Sequence, residues 1–177
     1  MERSDAKGVR LSDIARASGV SRQAVYLHFD SRTDLFIATL DYVDEVKGLN
    51  ERLKALEKAE TGVELLEMVV DVWGGYIPEI YGIARVILRT RADDPAINAA
   101  WNDRMDCVLD ACREVIEALD REGKLATEWS CEDAVQTAWT MMAVQNWELL
   151  TIECGWTNAQ YIGRMKTLLK RTFVDPL

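Results

Sequence analysis

Apolar residues recur at three- and four-residue spacing along nearly all of the 177-residue chain, and proline interrupts the pattern only at Pro78, Pro95 and Pro176. That is the period of an α-helix rather than the two-residue alternation of a half-buried strand, so the chain is expected to be all-α. Apolar residues make up 49% of the chain, enough to bury a core of ordinary globular kind. There is no repeat, low-complexity tract or Gly/Ser linker, so a domain boundary must fall inside a helix or a short turn. No apolar run approaches the roughly 18–20 residues that span a bilayer. The first ten residues are polar and contain no signal-peptide core, which makes the expected location cytoplasmic. Four cysteines form no CxxC pair, and the single histidine, His28, is remote from them in sequence, so neither a structural zinc site nor any other metal is expected.

Capping chemistry divides this pattern into helices. Ser21, Ser31 with Asp34, Thr61 with Glu64, and Ser130 with Asp133 all have the form of N-caps, whose side-chain oxygens accept from free backbone N–H groups. Asp94-Pro95 marks another start, with proline at the first helical position. Gly19, Gly123 and Gly155 are placed to stop helices. The resulting helices cover about 11–18, 22–29, 32–57, 62–77, 79–92, 95–122, 131–153 and 158–173.

The most informative stretch is LSDIARASGVSRQAVYLHFDSRTDLF, from Leu11 to Phe36. Ile14, Ala15 and Ala17 form the packing face of a short helix, Gly19-Val20 turns the chain, and Ser21 caps a second helix whose Val25 and Phe29 point inward. This is a helix-turn-helix, a unit that lays its second helix in the major groove of DNA. Arg22, Gln23, Ala24, Tyr26, Leu27 and His28 are the candidate DNA-contacting residues on that helix, with Arg10 before it and Arg32 after it. Arg22 suits guanine or phosphate, Gln23 adenine, and Leu27 a thymine methyl. Tyr26, His28 and Arg32 suit the phosphate backbone. The net charge of −9 is distributed compatibly with this reading: residues 1–40 carry six basic against five acidic side chains, whereas the other 137 carry fifteen against twenty-five.

Ile14-Ala15, Ala17, Gly19-Val20-Ser21, Tyr26, His28-Phe29, Ser31-Arg32 and Leu35 together closely resemble the TetR/AcrR family of repressors. The resemblance implies a homodimer on a palindromic double-stranded operator, released when a small molecule binds the C-terminal body. It also implies a complete first helix ahead of this segment, yet only MERSDAKGVR precedes Leu11. On that reading either Met1 is an internal start or DNA binding is impaired. Arg10 stands where the family usually has a capping Thr or Ser, which keeps a phosphate contact but loses a cap.

Beyond the head, Val43, Val46, Leu49, Leu53 and Leu56 continue an apolar stripe along the helix from Ser31, which is expected to connect head and body. The domains are therefore drawn as 1–45, the DNA-binding head, and 46–177, a helical ligand-binding and dimerisation domain. In the body, Trp73, Tyr76, Tyr81, Trp101, Met105, Trp139, Met142 and Asn146 are the candidates for a mostly apolar effector site, with Arg85, Gln145 and Glu148 nearby. The effector expected from that lining is apolar or aromatic. Ala138, Met141, Gln145, Leu149, Ile162, Met165 and Leu169, on the last two helices, are the candidates for a dimer interface in the form of a four-helix bundle.

Catalytic chemistry finds no foothold: one histidine, on the reading helix, leaves no His-based triad or metal centre, and no Gly-rich phosphate loop is present, so neither an enzyme nor a cofactor is expected. Two readings remain, a ligand-responsive repressor and a dimeric small-molecule-binding protein with a weakened DNA grip.

Overall fold

The computed structural model describes residues 21–29 and 31–175, and its helices follow the caps written in the sequence. They are α1 (Arg22–His28), α2 (Arg32–Val46), α3 (Leu49–Lys54) with a 3₁₀ turn at Ala55–Lys58, α4 (Gly62–Thr90), α5 (Pro95–Arg121), α6 (Cys131–Met141), α7 (Val144–Glu148) with a π-turn at Leu149–Glu153, and α8 (Asn158–Phe173). The expected helix at 11–18 lies outside the described residues. Thr61 Oγ1 accepts from Glu64 N–H at 3.2 Å, and Ser130 Oγ from Asp133 N–H at 3.1 Å. Asp94 caps α5 through Ala96 and Ile97, with Pro95 in the first turn. Thr157 and Gln160 form a reciprocal capping box at the start of α8.

The chain divides into two compact units after Tyr42. In the second, α4 packs against both α5 and α8, and α6 lies on α5. Tyr161, Met165, Leu169 and Phe173, at strict four-residue spacing, are the buried stripe of α8. Leu66, Val69, Val70 and Ile77 are buried on α4, and Val115, Ile116 and Leu119 on α5. Burying one such side chain stabilises the fold by roughly 1.5–3 kcal/mol, so this shared core holds the body together.

Four expected helices differ from those formed. The helix expected over 32–57 ends at Val46 and restarts at Leu49, because Gly48 adopts a left-handed φ of 64° that the helix cannot carry through. The helices expected at 62–77 and 79–92 are one, α4, despite Pro78 within it. Proline has no N–H to give the Gly74 carbonyl one turn back, and Asn158 of α8 replaces it, its Nδ2 donating to Gly74 O at 3.0 Å. The Asn158 Oδ1 in turn accepts the Trp147 indole N–H at 2.8 Å. Gly74 is a glycine by necessity of approach, since a Cβ there would sit 2.7 Å from Ile162 Cγ1.

The helix expected over 131–153 breaks at Met142–Ala143. Side chains take the carbonyls that the next turn would have used: Asn146 Nδ2 donates to Thr140 O at 2.7 Å, and the Trp73 indole N–H donates to Met142 O at 2.7 Å. Gly123 and Gly155 end their helices with φ of 67° and 72°.

Candidate DNA-reading helix and effector groove

Ser21 builds the reading helix. Its backbone is extended and its Oγ accepts from Ala24 N–H at 3.0 Å, which starts α1 one residue later. Val25, buried, holds the inner side of the helix with Phe29 and Leu35 packed against it. That packing turns Gln23, Leu27 and His28 outward, all exposed, while Ala24 is half-buried between the two sides. Leu27 is 77% exposed. A leucine left in water forgoes roughly 1.5–3 kcal/mol of burial, so Leu27 takes no part in the packing around Val25. Arg22 and Tyr26 belong to α1 and Arg32 opens α2, but their side chains, like Arg10 as a whole, lie outside what the structure describes. Ser31 caps α2 through Asp34 N–H at 3.0 Å.

In the body, a polar cluster surrounds the break at Gly48. The hydroxyl of buried Tyr76 donates to the Asp44 carboxylate, which also receives Arg104 Nε at 3.2 Å. Beyond the break, the Arg52 guanidinium lies 5.6 Å over the Tyr76 ring and donates to Glu79 at 2.7 Å, with Lys47 3.4 Å from the same carboxylate. Burial, followed by the hydrogen bond to Asp44, pushes the Tyr76 hydroxyl well above the ordinary phenol range. The hydrogen bond from Arg52 leads the causes that hold Glu79 below the usual carboxylate range.

The expected effector residues are largely engaged by the fold itself. Trp101, Met142 and Tyr76 are buried core, and Trp73 and Asn146 cap the end of α6. Trp139 is partly exposed and donates to Met105 O at 3.2 Å. Tyr81 donates to Glu148 and packs on Trp147 with ring centroids 5.0 Å apart. A void of about 10 Å³ among Leu66, Cys112, Met142 and Phe173 has room for no more than a water molecule. Among the described residues a space of ligand size lies elsewhere: a groove of about 770 Å³ between residues 50–65 and the stretch of α5 and its C-cap from Cys107 to Glu122. None of the eight expected residues lines it. Nothing in the sequence reading singled out this wall, although Cys107, Asp110, Ala111, Glu114 and Ala118 recur there at helical spacing.

The expected interface residues separate into two groups. Ala138, Met165 and Leu169 are buried within the protomer, and Ile162 packs on Gly74. Met141 is half-buried; Gln145 and Leu149 are exposed. The same region exposes Ile152 and Leu168, each at least half open to solvent. Helical periodicity places the residues of α8 on faces, but it does not say which face the chain's own core occupies, and the core takes the one with the largest side chains.

Among the described residues no group of three or more His, Cys, Asp or Glu side chains could hold a metal ion, and no helix is long and apolar enough to cross a membrane.

Residues 3–39 match the model of the bacterial regulatory proteins of the tetR family, a span that contains the reading helix. The fold is shared with a transcriptional regulator from Saccharomonospora viridis solved in complex with choline, at 17% identity and a TM-score of 0.79, covering 95% of this chain and 88% of that one. It is shared also with the fatty acid degradation regulator FadR from Bacillus halodurans, at 20% identity and a TM-score of 0.70 over 92% of this chain and 88% of that one. A TetR transcription regulator from Haloarcula marismortui matches at 17% identity and a TM-score of 0.71, over 98% of this chain and 89% of that one. No curated protein sequence matches the chain. The capped helix α1 therefore lies in a segment that matches a family of bacterial regulatory proteins, and the rest of the chain shares the fold of transcriptional regulators. The family model covers only residues 3–39, and the likeness of the whole chain to these regulators is one of fold.

Proposed function

We propose that this protein is a transcriptional regulator of the tetR family, a repressor that grips a palindromic operator as a homodimer, in the cytoplasm, and lets go when a small molecule occupies its body. The observation that carries the DNA-reading part is the outward face of α1. Gln23, Leu27 and His28 project together from a helix fixed on its inner side by Val25, within the segment that matches the family. Gln23 supplies the bidentate amide that suits adenine, Leu27 the apolar contact for a thymine methyl, and His28 a donor for phosphate. Arg22, Tyr26, Arg32 and Arg10 complete the proposed contact set.

For the dimer, the exposed apolar residues at the end of the chain are the best support. Leu149 and Ile152 on the π-turn and Leu168 on α8, with Gln145 beside them, are available to a second copy, whereas Ala138, Met165 and Leu169 belong to the protomer's own core. An operator-bound dimer needs two reading helices in successive major grooves, about 34–36 Å apart. α2 runs through the boundary between the units as one helix, so a change around Asp44 at its end has a direct covalent route to the head.

The test is selection of binding sites from random duplex DNA, followed by the mass of the protein–DNA complex. The proposal expects enriched sites with two inverted half-sites and two protomers per duplex. Enrichment of a single unrepeated half-site, or one protomer per duplex, removes the dimeric operator reading.

A further inference from the structure

We propose that the groove between residues 50–65 and α5 is the effector site, and that its ligand is an amphiphilic organic cation, an ammonium head on an apolar body. The inference rests on the reading of the chain as a ligand-responsive regulator and adds the place and the chemistry. At about 770 Å³ the groove is within the usual size range of small-molecule sites. Its apolar lining comes from Leu53, Leu56 and Leu65 on one side and Ala111 and Ala118 on α5. Leu53 is 39% exposed, so apolar surface is open there for a ligand to cover.

Charge then decides the class of ligand. Five carboxylates line the groove, among them Glu57, Asp110 and Glu114, against only Lys54 and Arg121. Glu122 is already engaged, accepting the Gly62 N–H at 2.7 Å and pairing with Lys124 at 3.2 Å. Asp110 and Glu114 stand one turn apart on α5 and make no ion pair among the described residues. The thiol of Cys107, on the same wall, senses the field: burial raises it most, and Asp103, Asp110 and Asp106 all push it further in the same direction. A fatty carboxylate of the same shape meets repulsion here, and a neutral ligand leaves the carboxylates without a partner. These carboxylates do not converge on a point, which disfavours a metal ion. An ammonium tolerates that, because its attraction to a negative wall needs no fixed coordination geometry.

The experiment titrates the full chain, without DNA, with decyltrimethylammonium below its micelle concentration, using calorimetry, with decanoate and tetramethylammonium as matched controls. In parallel, alkylation of Cys107 is followed by peptide mass spectrometry, with Cys154, also exposed, as the internal reference. The proposal expects saturable binding of one decyltrimethylammonium per chain and at least tenfold weaker binding of both controls. It also expects slower alkylation of Cys107 with Cys154 unchanged. The double variant Asp110→Asn, Glu114→Gln should bind about five- to tenfold more weakly, as expected for removing two exposed charges. Both positions are on the surface; if the double variant loses helicity, Glu57→Gln is read the same way. Equal binding of decanoate, binding indifferent to these substitutions, or an unprotected Cys107 overturns the proposal. Because no DNA is present, each of these results leaves operator recognition to be judged separately.

Discussion

Asn158 offers a quantitative check on why α4 survives a proline. Its side-chain amide satisfies two groups at once, the Gly74 carbonyl that Pro78 cannot reach and the Trp147 indole N–H. The orientation of the amide follows from the chemistry, since a carbonyl needs the N–H side and an indole N–H needs the oxygen. Asn158→Ala orphans both partners. Each part-buried orphan costs about 1 kcal/mol, at the low end of the usual range because water has partial access, so the variant should lose about 2 kcal/mol. Restoring the backbone donor with Pro78→Ala, at an exposed position, lets residue 78 bond the Gly74 carbonyl itself. In that background Asn158→Ala should cost only about 1 kcal/mol, the share owed to Trp147, giving a coupling of about 1 kcal/mol between residues 78 and 158. Urea denaturation followed by far-ultraviolet circular dichroism on the four proteins measures the cycle. In thermal melts the Asn158→Ala loss corresponds to roughly 4–8 °C. An identical cost in both backgrounds refutes the argument that Asn158 substitutes for the missing proline N–H.

Neighbouring glycines give a second contrast: Gly74→Ala should destabilise by about 1–3 kcal/mol because its Cβ runs into Ile162, whereas Gly75→Ala, with nothing within 4 Å, should be neutral or stabilise by up to about 1 kcal/mol in the same denaturation assay. Glu79 gives a pH dependence. Its folded pKa is depressed by Arg52, so its contribution is complete above the unfolded value of 4.5 and is lost as pH falls through the lower folded value. Exposed pairs of this kind contribute about 0.2–1 kcal/mol, and Glu79→Gln should flatten the acid side of the stability profile by that amount in a pH series of urea melts. Leu149→Glu together with Leu168→Glu should convert a dimer to a monomer of unchanged helicity, read by light scattering after gel filtration.

The helix Arg22–His28 was legible because its signals are local: a capping serine, an inward Val25 and Phe29, and an outward face between them. Thr61, Asp94, Ser130, Gly123 and Gly155 were legible for the same reason, each fixing an element end through atoms within a few residues. What escaped was long-range. The continuity of α4 depends on Asn158, eighty-four residues from Gly74, and the break before α7 depends on Trp73 reaching Met142 O. Trp73 and Asn146, chosen as effector-site candidates, also donate to carbonyls at the end of α6, a use that composition does not reveal because an indole or amide N–H serves a free carbonyl as well as it serves an effector. Periodicity likewise put Met165 and Leu169 on an apolar face without saying that the protomer's core would claim it. The groove was missed because its wall on α5 reads in sequence as an ordinary solvated acidic face, and only the opposing residues 50–65 make it concave.

Sequence-specific DNA binding is tested most directly by fluorescence anisotropy of the purified chain on the DNA immediately upstream of its own gene, across a salt series and against scrambled DNA. Arg22→Ala and Gln23→Ala serve as variants on the reading helix. The account predicts tight binding that prefers the native sequence, falls steeply with salt as phosphate contacts are screened, and weakens in both variants while the protein stays folded. Binding that ignores sequence, or that persists unchanged in both variants, contradicts it.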